Sequence, residues 1–213
     1  MVFLHGLGGS AKDCIPFAKA WHEKMPGLRF VLPNAPHMPV TMNFGMVIPA
    51  WHDVFVLGTR ELPTQGWPGL RHSVRRVRSI VFDELDTGAD AVVLGGFSQG
   101  AVTALATAFH SEAKLAAVLA LSGFYPNPDK ENAKAELRLS ANRETPVFVG
   151  HGTADPIVLD EAADCTHAAL SEAGVPVTFR KYAGMQHTVS VAEIEDVSTF
   201  LQRYVCSSGD NKN

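Results

Sequence analysis

Residues Ala91 to Gly100 read AVVLGGFSQG. An apolar, β-branched run ends in Gly96-Phe97-Ser98-Gln99-Gly100, a G-x-S-x-G, and passes straight into AVTALATAF, whose composition suits a helix. Strand, sharp turn and helix in that order put a serine at the apex of the turn. A nucleophilic serine needs this placement, because a strained strand-to-helix turn lifts its hydroxyl clear of the sheet. Glycines flank it where side chains would collide with the neighbouring strand and helix. The pentapeptide alone recurs by chance; the strand before it and the helix after it give it weight.

Outward from the turn, the chain alternates strands and helices. Val2-Phe3-Leu4 reads as a short buried strand that runs into the glycine-rich His5-Gly6-Leu7-Gly8-Gly9-Ser10. A helix to about Met25 and a strand at 28–32 follow. Helices are expected at 69–86, from the serine turn to about His110, at 159–173 and at 191–204. Strands are expected at 115–121, 146–149 and 177–182. This alternation means a mostly parallel central sheet with helices on both faces, the α/β class. Between Pro36 and Trp67 the chain has no clean periodicity but carries Met38, Met42, Phe44, Met46, Ile48 and Trp51. A loop that long and apolar, about 36–68, reads as a lid or binding loop.

The bulk numbers set limits. At 213 residues the chain fits one domain, taken as 1–205, with the polar residues 206–213 as a disordered tail. Hydrophobic content of 46% and charged content of 19% describe a soluble globular protein, and a net charge of −4 argues against a nucleic-acid partner. Arg71, His72, Arg75, Arg76 and Arg78 form a basic run on a helical segment; we read it as a solvated face, with weak contact to an anionic membrane surface as the sharper alternative. No apolar run approaches the roughly 18 residues of a membrane span, and no signal peptide opens the chain. The three cysteines, Cys14, Cys165 and Cys206, are odd in number and scattered, which fits a reducing compartment and hence the cytoplasm.

A serine hydroxyl needs a base, and the base needs an acid to orient it. In a strand-turn-helix setting the chain order is serine, acid, histidine. Of nine histidines, His110, His151, His167 and His187 follow Ser98. His110 ends the serine's own helix, His151 precedes the acids of its loop, and His167 lies mid-helix. His187 sits in a loop directly after a strand and is taken as the base. Asp155, in HGTADP after the strand PVFVG, is taken as the acid, with Asp160 as runner-up and helix cap. The oxyanion donors are expected to be the backbone amides of Gln99 and Leu7. HGLGG lacks the endings of a phosphate loop, and no His/Asp/Glu cluster has metal-ligand spacing, so no metal and no cofactor are expected.

Taken together, HGLGG, PNAP, PVTMNFGMVIPAWHDV, LGGFSQGA, HGTADPIV and KYAGMQH resemble, in order, the landmarks of the acyl-protein thioesterase and carboxylesterase family of α/β-hydrolases. The resemblance runs from about Val2 to Tyr204. It implies the α/β-hydrolase fold, cytosolic hydrolysis of long-chain S-acyl groups from protein cysteines, side activity on lysophospholipids and small esters, and no cofactor. It puts nucleophile, acid and base on Ser98, Asp155 and His187 and the oxyanion donors on Leu7 and Gln99. It also implies an apolar acyl channel walled by the segment Phe44 to Trp51; with Phe124 added, Phe44, Met46, Ile48 and Trp51 are the expected substrate contacts. Family members carry a strand ahead of the one that ends at HGLGG. Here that edge strand is missing or the start is truncated, so we expect a homodimer or another element to cover the edge near Val2 to His5. Leu121-Ser122-Gly123-Phe124-Tyr125 departs from the usual aromatic arrangement, and acyl-length preference does not carry over. A carboxylesterase or lysophospholipase uses the same residues, and a non-catalytic ligand receptor can share the fold.

Overall fold

The structure, a computed structural model, describes residues 1–58, 66–126 and 130–205. The expected tail at 206–213, Cys206 and the middle of the expected lid at 59–65 lie outside the described residues. Strands β1 (Val2–Leu4), β4 (Val93–Phe97), β5 (Ala117–Leu121), β6 (Val147–Gly152) and β7 (Val177–Tyr182) form a parallel sheet in the order β1-β4-β5-β6-β7. A small antiparallel hairpin, β2 (His37–Val40) and β3 (Met46–Pro49), stands beside it. The helices are α1 (Ala11–Lys24), α2 (Leu70–Asp86), α3 (Gln99–Phe109), α4 (Lys130–Leu139), α5 (Asp160–Glu172) and α6 (Val191–Tyr204).

Strand side chains alternate between two apolar layers, as a period of two requires. Val2, Leu4, Leu94, Val118, Ala120, Val147 and Val149 face one layer, which also takes Val77 and Val81 of α2, Leu137 of α4 and Ala163 and Leu170 of α5. Phe3, Val93, Ala117, Leu119, Leu121 and Phe148 face the other, with Cys14 and Trp21 of α1 and Val197, Phe200 and Leu201 of α6. Both faces of the strands are therefore dry, which is why they read as unbroken apolar runs. Every residue of α3 is buried, because it is wedged between β1, β4, β5 and α2; a helix buried all round has no need of a polar face. On α2 the inward face is Ser73, Val77 and Val81, and Arg71, His72, Arg75 and Arg76 are exposed, so the basic run is a solvated face.

Three expectations change. The strand at 28–32 is a single parallel bridge, Val2 with Val31, made by Phe3 N–H to Val31 O at 3.0 Å and Val31 N–H to Met1 O at 2.8 Å. That bridge covers the outer side of β1, so the uncovered edge that motivated a homodimer is occupied by the chain itself. The stretch after Pro36 holds a hairpin instead of an irregular loop. Its strands have four residues each and contain Pro39 and Pro49, which cannot donate to a ladder, so the residues carry no strand signal. Helix α4 also went unread: its KENAKAELRL has no apolar stripe, and Leu137 alone is fully buried among its described side chains.

One buried charge site accompanies this core. Glu193, in the first turn of α6, is fully buried, and neither carboxylate oxygen has a hydrogen-bond partner among the described residues. It lies against Gly150, where a Cβ would overlap its carboxylate. Burial raises its pKa to about 8, with the Ser190 amide pulling down and Asp196 pushing up. With its pKa raised from 4.5 to about 8, ionisation of Glu193 takes no stability below about 4.5, takes progressively more as pH rises from there to about 8, and levels off above it. Denaturant unfolding of wild type and Glu193→Gln between pH 5 and 9 should show wild type losing stability relative to the variant as pH rises. The relative slope should approach, at most, about 1.4 kcal/mol per pH unit. Parallel stability curves would contradict an ionisable, buried Glu193.

Candidate active site

The C-terminal ends of β1, β4, β6 and β7 lie on one side of the sheet, where open α/β sheets place their sites. Ser98 sits between β4 and α3 with φ 56° and ψ −122°, a conformation that L-residues avoid. Its N–H bonds Leu121 O at 2.8 Å, and Ala101 and Val102 bond its carbonyl. A Cβ on Gly96 would overlap the Gly100 backbone, and one on Gly100 would overlap Leu4 of β1. The flanking glycines thus let three backbones meet.

Ser98 Oγ lies 2.8 Å from His187 Nε2, and His187 Nδ1 lies 2.7 Å from Asp155 Oδ2. The other carboxylate oxygen accepts the amides of Ile157 at 2.8 Å and Val158 at 3.0 Å. Burial alone would raise the Asp155 pKa, but the hydrogen bonds from His187, Val158 and Ile157 together hold it below the ordinary carboxylate range. Asp155 is therefore an anion facing His187 Nδ1, which fixes Nδ1 as the protonated nitrogen and leaves Nε2 to accept from the serine. The acid and histidine loops are tied to each other: Ala154 N–H bonds Met185 O at 3.0 Å, and Gly184 N–H bonds Thr153 Oγ1 at 3.0 Å. Phe97 packs against the His187 ring with centroids 4.8 Å apart and planes tilted by 45°.

The remaining histidines and acids lie elsewhere or play other parts. His110 caps α3 against Ala106 O, and His167 stacks on Phe179 at 4.7 Å. Asp160 pairs with Lys181 at 3.1 Å at the surface; Leu159, not Asp160, occupies the cap position. His151 was set aside by chain order, yet it is fully buried beside the acid. Its Nε2 bonds Val158 O at 2.8 Å and lies 3.5 Å from Asp155 Oδ2. Burial lowers its pKa, so it stands there as a neutral donor. The H-G-x-x-D spacing was the signal for it.

The amides of Leu7 and Gln99 have no hydrogen-bond partner among the described residues. Gly6 packs against Ser98, where a Cβ would lie 3.4 Å from the serine Cβ. The loop after β1 therefore reaches Ser98, and the Leu7 and Gln99 amides are left as available donors.

The expected substrate contacts divide. Phe44, at the hairpin turn, is fully exposed with φ 55°, and Met46 and Val47 beside it are mostly exposed. Ile48 faces inward, in a cluster with Val40, Ala50, Val54, Met38, Met42 and Leu7. Phe124 touches Trp67 at 5.3 Å, which in turn packs on His52. Burial drives the His52 imidazole down to about 4, so this wall is uncharged. Trp51 does not line a channel: it is fully buried in the main core, so that expectation is corrected. An aromatic in an apolar loop reads the same in sequence whether it points to ligand or core.

If this relay is the chemical centre, Asp155→Asn should fold normally and lose about 10⁴-fold in kcat through the wrong His187 tautomer. Asp160→Asn should stay within about twofold of wild type, since the two acids do different work. Steady-state kinetics on a small ester decide it; the reverse pattern would move the acid to Asp160.

Comparison with known proteins places this geometry. The family model described as Phospholipase/Carboxylesterase matches residues 1–205. Acyl-protein thioesterase 1 of Debaryomyces hansenii is 36% identical over 210 residues, covering 94% of this chain and 89% of that protein. The enzyme of the same name from Neurospora crassa is 33% identical, covering 94% and 84%. Among solved structures, Arabidopsis thaliana SOBER1 superposes with a TM-score of 0.86 at 28% identity, covering 96% of this chain and 97% of that one. Zea mays acyl-protein thioesterase 2 gives 0.74 at 26% identity, covering 95% and 92%. The chain belongs to the phospholipase/carboxylesterase family of α/β-hydrolases.

Proposed function

We propose that the protein is a serine hydrolase that removes long-chain acyl groups, S-palmitoyl above all, from protein cysteines. The observation that carries this is the continuous hydrogen-bonded relay from Ser98 through His187 to Asp155. Ser98 Oγ attacks the thioester carbonyl carbon while His187 Nε2 takes its proton. The carbonyl oxygen becomes an oxyanion, held by the Leu7 and Gln99 amides. The tetrahedral adduct collapses, the C–S bond breaks, and the leaving cysteine sulfur takes the proton from His187. Water, deprotonated by His187, then attacks the acyl-serine carbonyl carbon; the C–Oγ bond breaks, Ser98 Oγ takes that proton back from His187, and the fatty acid leaves. An anionic Asp155 stabilises the imidazolium formed at each step. A complete relay of this kind also speaks against a non-catalytic receptor.

Two features favour a long acyl chain. The relatives at 33–36% identity are acyl-protein thioesterases. The hairpin also exposes Phe44, Met46 and Val47 side by side. A phenylalanine at positive φ in full solvent costs on the order of 1 kcal/mol or more, a cost that contact with an apolar chain or bilayer offsets. Substrates anchored by acyl groups require transient contact with a membrane surface, and these side chains suit it. No helix among the described residues is long and apolar enough to cross a membrane. The scattered cysteines fit a cytoplasmic site of action, with S-acylated proteins as partners.

The test is a chain-length series of acyl thioesters and matched oxyesters from acetyl to palmitoyl. Each buried methylene contributes about 0.8 kcal/mol, so kcat/KM should climb with length and then flatten. Phe44→Asp with Met46→Asp should lower palmitoyl turnover at least about tenfold while leaving acetyl turnover near wild type, since both residues are exposed. A flat profile unchanged by the two substitutions would leave a small-ester carboxylesterase.

A further inference from the structure

Trp51 is fully buried, and all three of its polar groups are bonded. Its amide donates to Gln99 Oε1 at 2.8 Å, and its carbonyl accepts from Ser73 Oγ. Its indole N–H donates to His5 O at 2.8 Å. The Gln99 carboxamide closes a second bond, Nε2 to His52 O at 2.7 Å. Trp51 is thus fastened at one end to the residue that follows the serine. At the other it is fastened to the first residue of the loop that bears the Leu7 amide.

That loop has further ties to the same segment. Gly8 N–H bonds Pro49 O, at the end of β3, at 2.8 Å. The Leu7 side chain lies in the hairpin's own apolar cluster with Val40, Met38 and Ile48. His5 packs its ring 5.4 Å from Trp51, with Nε2 accepting from Ala35 N–H at 3.0 Å and Nδ1 meeting Gly6 O at 2.7 Å. A neutral imidazole that donates from Nδ1 and accepts at Nε2 satisfies both contacts. The oxyanion loop therefore takes its position from the hairpin and Trp51 as much as from β1.

We propose that Trp51 is a positioning residue for the oxyanion hole: it and the Gln99 side chain join the hairpin to the Leu7 and Gln99 amides, so that the seating of the hairpin sets the spacing of the two donors. The inference rests on Ser98 as nucleophile and these amides as oxyanion donors; it does not depend on the acyl chain. A hydrogen bond of 2.8 Å between buried groups resists displacement, and its loss leaves the His5 carbonyl unpaired. A shift of the Leu7 amide weakens binding of the oxyanion without touching ground-state contacts, so its signature is in kcat.

Two variants test this. Trp51→Phe keeps the ring and removes the N–H; Gln99→Met keeps the backbone amide and removes both carboxamide bonds. Both are assayed on p-nitrophenyl acetate, with active sites counted by burst titration so that unfolded protein does not register. Inhibition is measured with a trifluoromethyl ketone, whose adduct with a serine places an oxyanion in the hole, and with the methyl ketone of the same chain. We expect kcat to fall at least about tenfold with KM within about twofold, short of the hundredfold or more that follows removal of a donor. The trifluoromethyl ketone should lose affinity by the same factor as kcat, and the methyl ketone should lose none. Unchanged kcat and adduct affinity in whichever variants fold would overturn the proposal. So would a change confined to KM and the methyl ketone, which would make Trp51 a wall of the substrate site. A wild-type protein that forms no adduct would overturn the reading of Ser98 and its hole, and this proposal with it.

Discussion

The structure turns on one strained residue. Ser98 holds φ at 56° where β4 meets α3, and that conformation persists only because its surroundings leave no alternative. Leu121 O anchors its amide, and the N-terminal turn of α3 binds its carbonyl. Close approach of β1 to α3 at Gly100 fixes the turn from below, and Gly96 admits the start of the helix from the side. Much of the topology serves this junction. Strand β1 sits next to β4 in the sheet, so the loop after β1 arrives beside the serine. Strands β6 and β7 pair in register, so the loops with Asp155 and His187 leave the same end of the sheet.

Electrostatics complete what the backbone begins. Two backbone amides and one imidazole outweigh the burial that would otherwise favour a neutral Asp155. Glu193 shows the opposite outcome within the same protein: burial outweighs the pull of the Ser190 amide and pushes the carboxyl up, to about 8. The two acids differ both in the donors facing them and in depth: Asp155 meets an imidazole and two amides, and Glu193 is the more deeply enclosed.

Much of this was legible in the sequence because the signals are local. The strand and glycines around Ser98 define the turn, and the parallel strands are apolar on both faces. Asp155 and His187 each follow a strand within a few residues. The rest depends on partners remote in sequence. The hairpin lacks alternation and carries Pro39 and Pro49, so its pairing follows from docking against Leu7 and Val54 more than from propensity. Helix α4 has too few apolar residues to announce itself. Trp51 was read as a channel wall, yet its indole nitrogen answers a carbonyl 46 positions away. The cover for β1 came from a bridge of one residue pair, below the length at which a strand is recognisable.

The central claim is that one serine in this chain is activated by the relay. Reaction with a fluorophosphonate probe, followed by intact-mass measurement and peptide mapping, tests it most directly. The account predicts a single adduct, on Ser98, that disappears in Ser98→Ala. An adduct on another residue, or undiminished labelling of the Ser98→Ala protein, would contradict it.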